Sequence, residues 1–354
     1  MKVLFDAYWW VDGQPSGRRV VDSFVRTWAR CFPDDELTAA VPQAHLARAR
    51  ELAGDLPVAL RPLRLSPQGL SAMLELGGVA DAVGADVVIG QNYTPLRTRA
   101  LRATFVHDLM FDEHPEFFSR TERAYFAGMP FSARAADLVL TSTAAEAARI
   151  ARFRPRLADR VRPVGLSVPE SFATRTAADP DLGLTAGRFL LCVGRLNVRK
   201  NVTRLVEALL AADLLTPEAP LVVVGEPDGV AIARTDPGDG RVRFVGGVDD
   251  SALTWLYENC RLFVFPSLDE GFGLPVVEAA LSRAPMVLSD IPAFRELAPA
   301  AAFFDPTDPA SIAAAVGAEL AGPPSPSPQV DVPTWPEVVG RIRAAVADLV
   351  PARV

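Results

Sequence analysis

The chain has 354 residues, 49% of them hydrophobic and 22% charged, with a formal net charge of −7. That length exceeds what one hydrophobic core usually holds, so two domains are expected. The composition excludes wholesale disorder, and the acidic balance excludes a protein whose main partner is nucleic acid.

The chain opens MKVLFDAYWW, with one lysine and then Asp6 but no long apolar core, so no export signal is expected. Nothing approaches the ~20 consecutive apolar residues of a membrane span. Cys31, Cys192 and Cys260 are far apart and form no Cys-x-x-Cys pair. Neither a disulfide framework nor a zinc site is indicated, and a reducing, cytoplasmic setting is expected.

In chain order, the first half carries the apolar runs KVLF (2–5), LTAAVP (37–42), VALRPL (58–63), DVVIGQ (86–91), ATFVHD (103–108) and DLVLTS (137–142). Several are apolar on both faces, as in parallel strands covered by helices. Between them lie helical patterns such as Ser16 to Cys31, and strand–helix alternation implies an open parallel sheet. Six arginines, Arg149, Arg152, Arg154, Arg156, Arg160 and Arg162, crowd one short stretch beside Asp159 alone. They fit a solvated helix end better than a patch for an anionic acceptor or weak peripheral membrane contact.

A softer stretch, 166–187, reads as a linker after a first domain of 1–165. The strand–helix pattern then restarts with FLLCVG (189–194), LVVVGE (221–226), VRFVGG (242–247), LFVFPS (262–267), PMVLSD (285–290) and AAFFDP (301–306). A second domain of 188–320 follows. The proline-rich AGPPSPSPQVDVP cannot hold a helix and leads to a final amphipathic helix, giving a connector and tail over 321–354. The architecture expected is α/β, with two doubly wound domains and the ligand at the carboxyl ends of the strands.

Three glycine-marked turns follow strands. In VGRLNVRKN, Gly194 turns the chain and Arg195 and Lys200 flank the loop, two cations suited to a diphosphate. Cations at a helix start oppose the helix dipole, so an anionic ligand explains them better than surface chance. In PSLDEGFGLPVVEAAL, Pro275 suits a first helical turn and Gly271 and Gly273 let backbone N–H groups approach a ligand. Glu270 and Glu278 flank that turn and suit hydrogen bonds from sugar or ribose hydroxyls. Their bland alternatives are a loop acid and a residue of the helix flank. In DGQPSGRRVVDSF, Gly17 precedes a helical pattern where its backbone suits a phosphate. His107 and Asp108 end ATFVHD, where a side chain points toward the ligand. Tyr8, Trp9 and Trp10 follow the first strand and suit stacking on a sugar or apolar acceptor, core packing being the competitor.

This ordered set resembles the retaining glycosyltransferases of family 4, which have the GT-B fold. The likeness is close over roughly 188–316, through Gly194, Arg195 and Lys200, the pair Glu270 and Glu278, EGFGLPVVEA and PMVLSDIPAFREL. It is looser before that, through Gly17, the VHDL segment and ARAADLVLTST. The resemblance implies two Rossmann-like domains facing across a cleft. It implies that Arg195 and Lys200 bind the donor diphosphate, Glu278 the ribose, and Glu270 the transferred sugar. Gly271, Phe272, Gly273 and Leu274 would line sugar and phosphate, Gly246 to Val248 the base, and Gly17 the phosphate from the first domain. His107 would lie over the transferred sugar, with Tyr8, Trp9 and Asp108 on the acceptor side.

The implied reaction moves a sugar from a nucleotide-diphosphate donor to a glycan, lipid-linked or small-molecule acceptor with retained configuration. The attack would be same-face, the donor phosphate helping to deprotonate the acceptor. No cofactor and no catalytic metal are expected, since basic side chains meet the charge on the leaving group. Asp179-Pro180-Asp181 matches an Asp-x-Asp pattern but reads as a linker turn. Two departures, PVGLSVPE in place of an Asn-Gly turn and Arg18-Arg19 in the first glycine loop, leave the acceptor open. The alternatives are a two-domain sugar-binding protein, a catalytically degenerate subunit, and a phosphorylase of the same fold.

Overall fold

The structure, a computed structural model, describes residues 1–13, 15–172, 174–227 and 237–350. The chain divides into two units. Unit 1 comprises Met1–Glu113, Arg120–Pro169 and Pro333–Val354; unit 2 comprises His114–Ser119 and Glu170–Val332.

Unit 1 is built on β1 (Lys2–Asp6), β2 (Glu36–Pro42), β3 (Val58–Leu63), β4 (Val87–Gln91), β5 (Leu101–Phe105), β6 (Leu138–Thr141) and β7 (Val161–Pro163). All pairings are parallel and the order is β3-β2-β1-β4-β5-β6-β7. The order reverses beside β1, the switch point at which doubly wound sheets place ligands. Six strands match the sequence reading. The seventh, β7, has only Val161 buried and so lacks an apolar run to announce it. Strand β5 stops at Phe105, so His107 and Asp108 lie in the loop beyond the strand rather than at its end.

The helix Pro15–Cys31 places Val20, Val21, Phe24, Val25 and Trp28 in the core, three and four residues apart along one face. Gly17 therefore lies inside the first helical turn, not ahead of it. The last helix, Trp335–Ala347, packs on this one within unit 1: the Phe24 and Trp335 rings meet edge to face at 5.3 Å. A capping box of Thr334 and Glu337 starts it, and Trp335 Nε1 donates to the Val168 carbonyl at 2.9 Å. Arg343 clamps Asp35 at 2.9 and 3.1 Å. Burial would raise the Asp35 pKa, but Arg343, the N-terminal ammonium and the Trp28 indole hold it at about 2.

Unit 2 repeats the plan with β8 (Leu190–Val193), β9 (Leu221–Val224), β10 (Val242–Gly246), β11 (Leu262–Phe265), β12 (Met286–Ser289) and β13 (Ala302–Phe304). Its order, β10-β9-β8-β11-β12-β13, is again parallel throughout. Strands β8, β9, β11 and β12 are buried at every residue, as the continuous apolar runs require of strands covered on both faces. Each fully buried Leu, Val or Phe contributes roughly 1.5–3 kcal/mol of transfer free energy, which holds these sheets against chain entropy. Among the described residues no helix is long and apolar enough to cross a membrane.

Candidate functional site

In unit 2 the switch point lies between β8 and β11, and the loops leaving those strands carry the expected residues. The loop after β8 is tightly built. Gly194 N donates to Val224 O at 2.9 Å and Leu196 N to Glu226 O at 2.8 Å, extending the β8–β9 pairing past the strands. Gly225 has φ +142°, and a Cβ there would lie 1.9 Å from the Gly194 carbonyl oxygen, so only glycine fits. Asn197 caps the next short turn, its side chain accepting from Lys200 N at 3.2 Å. Arg195 is exposed, whereas Lys200 is buried.

Lys200, one of only two lysines in an arginine-rich chain, meets Glu270 from the loop after β11. Its Nζ lies 2.5 Å from Glu270 Oε1 and 4.6 Å from the centre of the Phe265 ring. The other carboxylate oxygen, Oε2, takes Arg199 at 2.5 Å, and Ser267 Oγ donates to Oε1 at 2.8 Å. Arg199 also donates to the Asp269 carbonyl at 3.1 Å, and Leu268 N returns a bond to Arg199 O at 2.8 Å. The two loops are thus laced together, seventy residues apart in sequence.

Charge follows from this geometry. Burial alone would raise the Glu270 pKa, but Arg199 and Lys200, with the Ser267 hydroxyl, hold it at about 2. Burial lowers Lys200 to about 8; Glu270 opposes that shift, while Arg199 and Arg195 add to it. The two loops therefore set Arg195, Arg199 and Lys200 against the carboxylates of Asp269 and Glu270, a small excess of positive charge at the carboxyl end of the sheet. An incoming anion would be matched by that excess.

The following turn is shaped for close approach. Gly273 caps the helix Leu274–Leu281 with φ +105°, and a Cβ there would sit 2.7 Å from the Phe294 ring. Pro275 occupies the first turn, as its spacing predicts. Gly271, Phe272 and Gly273 are buried and Leu274 half-buried. Glu278, on the same helix, is buried and accepts from Tyr257 Oη at 3.2 Å. At the end of β10, Gly246 has φ +70°, and beyond it Gly247 N donates to Glu226 Oε1 at 2.8 Å; Val248 follows, half-buried.

Unit 1 gathers its own residues at the ends of β1, β4 and β5. His107 N donates to Asn92 Oδ1 at 3.0 Å, and its Nε2 lies 3.0 Å from Gln91 Oε1. Loss of water lowers the His107 pKa to about 4, with Asp108 opposing, so the imidazole is neutral at pH 7. The Trp9 and His107 rings are 5.8 Å apart, and a Cβ on Gly17 would lie 3.0 Å from Trp9 Cε3. Gly17 therefore admits the indole. Tyr8 and Trp9 are half-buried while Trp10 is core, its Nε1 donating to Asp22 at 2.9 Å. Beside them Asp6 is buried, its pKa raised to about 6 by burial against the bonds from Gln68 and Tyr8 N.

Leu109 N donates to buried Glu146 at 2.8 Å, which ties down the loop carrying His107 and Asp108. Burial and Asp108 raise Glu146 to about 8 although Arg149 opposes it. The six-arginine stretch is neutralised only in part, since an arginine that donates to a carbonyl keeps its charge. Arg149 and Arg152 pair with Glu113, Arg154 pairs with Asp112, and Arg160 and Arg162 donate to backbone carbonyls. Asp179 caps its own turn, accepting from Asp181 N at 2.9 Å, with Asp181 at φ +54°. The partners of the candidate-site residues that sequence reasoning did not name are Arg199, Tyr257, Glu226, Gln91, Asn92 and Glu146.

Residues 187–321 match the family model described as glycosyl transferases group 1. The chain is 30% identical over 235 residues to the O-antigen chain mannosyltransferase B of Escherichia coli, covering 63% of this chain and 61% of that protein. The chain thus spans about three-fifths of the length of that curated relative. Sucrose-phosphate synthase of Thermosynechococcus elongatus aligns at TM-score 0.64 and 16% identity, over 100% of this chain and 96% of that one. Anabaena HepE, solved with UDP-glucose, aligns at 0.62 and 17%, over 100% and 95%. With these structures the chain shares the GT-B fold of two Rossmann-like domains. The group 1 match spans all six strands of the second sheet and the Lys200–Glu270 centre between β8 and β11.

Proposed function

We propose that the protein is a glycosyltransferase that moves a mannosyl-type sugar from a nucleoside-diphosphate donor onto a glycan or lipid-linked acceptor. The observation that carries this reading is the buried centre where Lys200 and Arg199 share Glu270 beside Arg195, next to a glycine-capped helix start. Such a place matches a diphosphate with fixed cations beside a helix N-terminus, and offers carboxylates to hydroxyls. The name of the 30% identical relative supports the mannosyl assignment.

In this reading Arg195 and Lys200 bind the diphosphate and stabilise the charge that grows on it as the glycosyl bond breaks. Glu270, held ionised, accepts from sugar hydroxyls, and Glu278, oriented by Tyr257, accepts from the ribose. The backbone at Gly271 to Leu274 lines the sugar and phosphate, and Gly246 to Val248 the base. The neutral His107 borders the sugar. Gly17 borders the phosphate through its backbone, and Tyr8, Trp9 and Asp108 serve the acceptor. The fixed cations take the place of a divalent ion, so no metal and no cofactor are required. The anomeric configuration is retained, which the anomeric coupling constants of the product report.

The test is a thermal-shift panel of UDP, GDP, dTDP, ADP and CMP, with and without EDTA. A ligand at about 100 times its Kd, binding only folded protein, adds roughly 2.7 kcal/mol. Stabilisation by one diphosphate, unchanged by EDTA and lost in Arg195→Ala, is expected. Stabilisation by none of them, or by free sugars alone, would replace this reading with a sugar-binding protein or an inactive subunit.

A further inference from the structure

Two aromatic rings flank the imidazole of His107: Phe105 edge to face at 5.0 Å and Trp9, tilted, at 5.8 Å. These contacts fix where the ring lies but not which nitrogen carries its hydrogen. That choice falls to hydrogen bonding, since a neutral imidazole has one donor nitrogen and one acceptor. Nε2 lies 3.0 Å from Gln91 Oε1, and an amide oxygen only accepts, so Nε2 carries the hydrogen. Nδ1 is then the acceptor. It has no hydrogen-bond partner among the described residues and is not one of their buried unpaired polar atoms, so its lone pair opens to solvent.

Gln91 is itself firmly placed. It is buried at the end of β4, beside Phe105 in the parallel register of β4 and β5. Its carbonyl accepts from Gln68 Nε2 at 2.7 Å, and the same nitrogen donates to Asp6 Oδ2 at 2.8 Å. Tyr125 Oη donates to Gln68 Oε1 at 3.2 Å. Turning the Gln68 amide over would set its oxygen against two others, so the brace has one orientation. Asn92 Oδ1 accepts from His107 N at 3.0 Å, and Asn92 N donates to Phe105 O at 2.8 Å. The end of β4 thus grips both the backbone and the ring of His107. Asp108 favours the imidazolium, but burial outweighs it and the ring stays neutral.

We propose that Gln91 is a positioning residue that holds His107 as its Nε2–H tautomer, so that Nδ1 accepts a hydrogen bond from a hydroxyl of the ligand. A neutral ring held this way offers no donor to a phosphate or carbonyl oxygen through its open nitrogen. It recognises a donor instead, which on a sugar means a hydroxyl. That the hydroxyl belongs to a sugar rests on the proposed transfer reaction; the tautomer does not.

The experiment is nitrogen–proton correlation NMR of the full chain with nitrogen-labelled histidine, in which ring nitrogens with and without hydrogen differ in shift. His107→Gln identifies the His107 signals among those of the three histidines. At pH 7 the expected result is a protonated Nε2 and a bare Nδ1. Gln91→Leu should lose that preference and give averaged shifts. Gln91→Glu keeps an acceptor at Nε2 and adds a charge. It should hold the same tautomer above its titration midpoint and move that midpoint up by at least about 1 pH unit. With the nucleotide sugar of the best-stabilising diphosphate, kcat of Gln91→Glu should fall at least about fivefold below that midpoint and recover above it. The wild type should stay flat over the same range. A wild-type ring in the Nδ1–H form or evenly mixed, or a Gln91→Leu spectrum like that of the wild type, overturns the proposal. So does a Gln91→Glu turnover that ignores its own midpoint. The wild-type spectrum decides the tautomer if both variants misfold. Absence of turnover in the wild type would sink the transfer reaction and leave the tautomer to be judged by the spectra.

Discussion

Replacing Glu270 by glutamine tests the charge logic of unit 2 directly. The side chain keeps its shape but strands two cations: Lys200, whose Nζ lies 2.5 Å from Oε1, and Arg199, 2.5 Å from Oε2. Breaking a buried ion pair from one side costs about 3–5 kcal/mol, because the remaining charge is left without a counter-charge. Arg199 also has the Asp269 carbonyl and is 14% exposed, so the lower end, about 3 kcal/mol, is expected. For a domain in the size range of unit 2, unfolding as its own unit, that is a fall in melting midpoint of roughly 6–12 °C.

The deficit should depend on pH with a definite sign. Lys200 titrates at about 8 with Glu270 present; without the carboxylate its pKa falls further, since Glu270 is what raises it. Between those two values the variant sheds a proton that its unfolded state keeps, so its stability rises with pH while the wild type gains little. The deficit therefore narrows from pH 6 to pH 8. Differential scanning fluorimetry of wild type, Glu270→Gln and Glu270→Gln/Lys200→Met reads all three. The double variant, which removes the stranded ammonium, should recover at least about half of the loss. A Glu270→Gln midpoint within about 2 °C of wild type, or a double variant less stable than the single one, would refute the reasoning.

Other substitutions carry their own expectations. Gly225→Ala would set a Cβ 1.9 Å from Gly194 O at φ +142°, and should cost about 3 kcal/mol, read as a melting midpoint several degrees lower. Tyr257→Phe removes the hydroxyl that donates to Glu278 Oε2 and should weaken diphosphate binding by about tenfold in calorimetry, with little change in fold. Gly17→Ala gains helix propensity but presses on Trp9 at 3.0 Å; stability should hold within about 1 kcal/mol while Trp9 fluorescence and donor turnover change. His107 should show neutral imidazole shifts by NMR down to about pH 5, since burial holds its pKa near 4. Its folded pKa lies below the unfolded one, so its contribution to stability is lost as pH falls from 6.5 toward 4.

Much of the fold was legible because parallel strands covered on both faces must be continuous apolar runs, and twelve such runs stand out along the chain. Strand β7 escaped because Arg162 and Pro163 face solvent, leaving one buried residue and no pattern. The end of β5 was misjudged by the run ATFVHD, where the valine continues the apolar pattern after the strand has stopped.

At the site, Arg195, Lys200, Glu270 and Glu278 were legible from glycine-marked turns placed after strands. Their partners were not. Arg199 looks like one more surface arginine until β8 and β11 bring it to Glu270, and Tyr257 reaches Glu278 across twenty-one residues. One signal was available and passed over: a lysine at position 200 in a chain whose only other lysine is Lys2. The arginine stretch was read as a solvated helix end, and its ion pairs were out of sight because Asp112 and Glu113 lie some forty residues upstream of Arg152 and Arg154.

The most direct test of the account is isothermal titration of the wild type, Arg195→Ala and Arg295→Ala with the nucleoside diphosphate that stabilises best. Arg295 pairs with Asp290 on the surface of the same unit and serves as the control. The account expects one-to-one binding by the wild type and Arg295→Ala, and at least tenfold weaker binding by Arg195→Ala, about 1.4 kcal/mol. Equal affinities in all three proteins, or heat only with the free sugar, would contradict it.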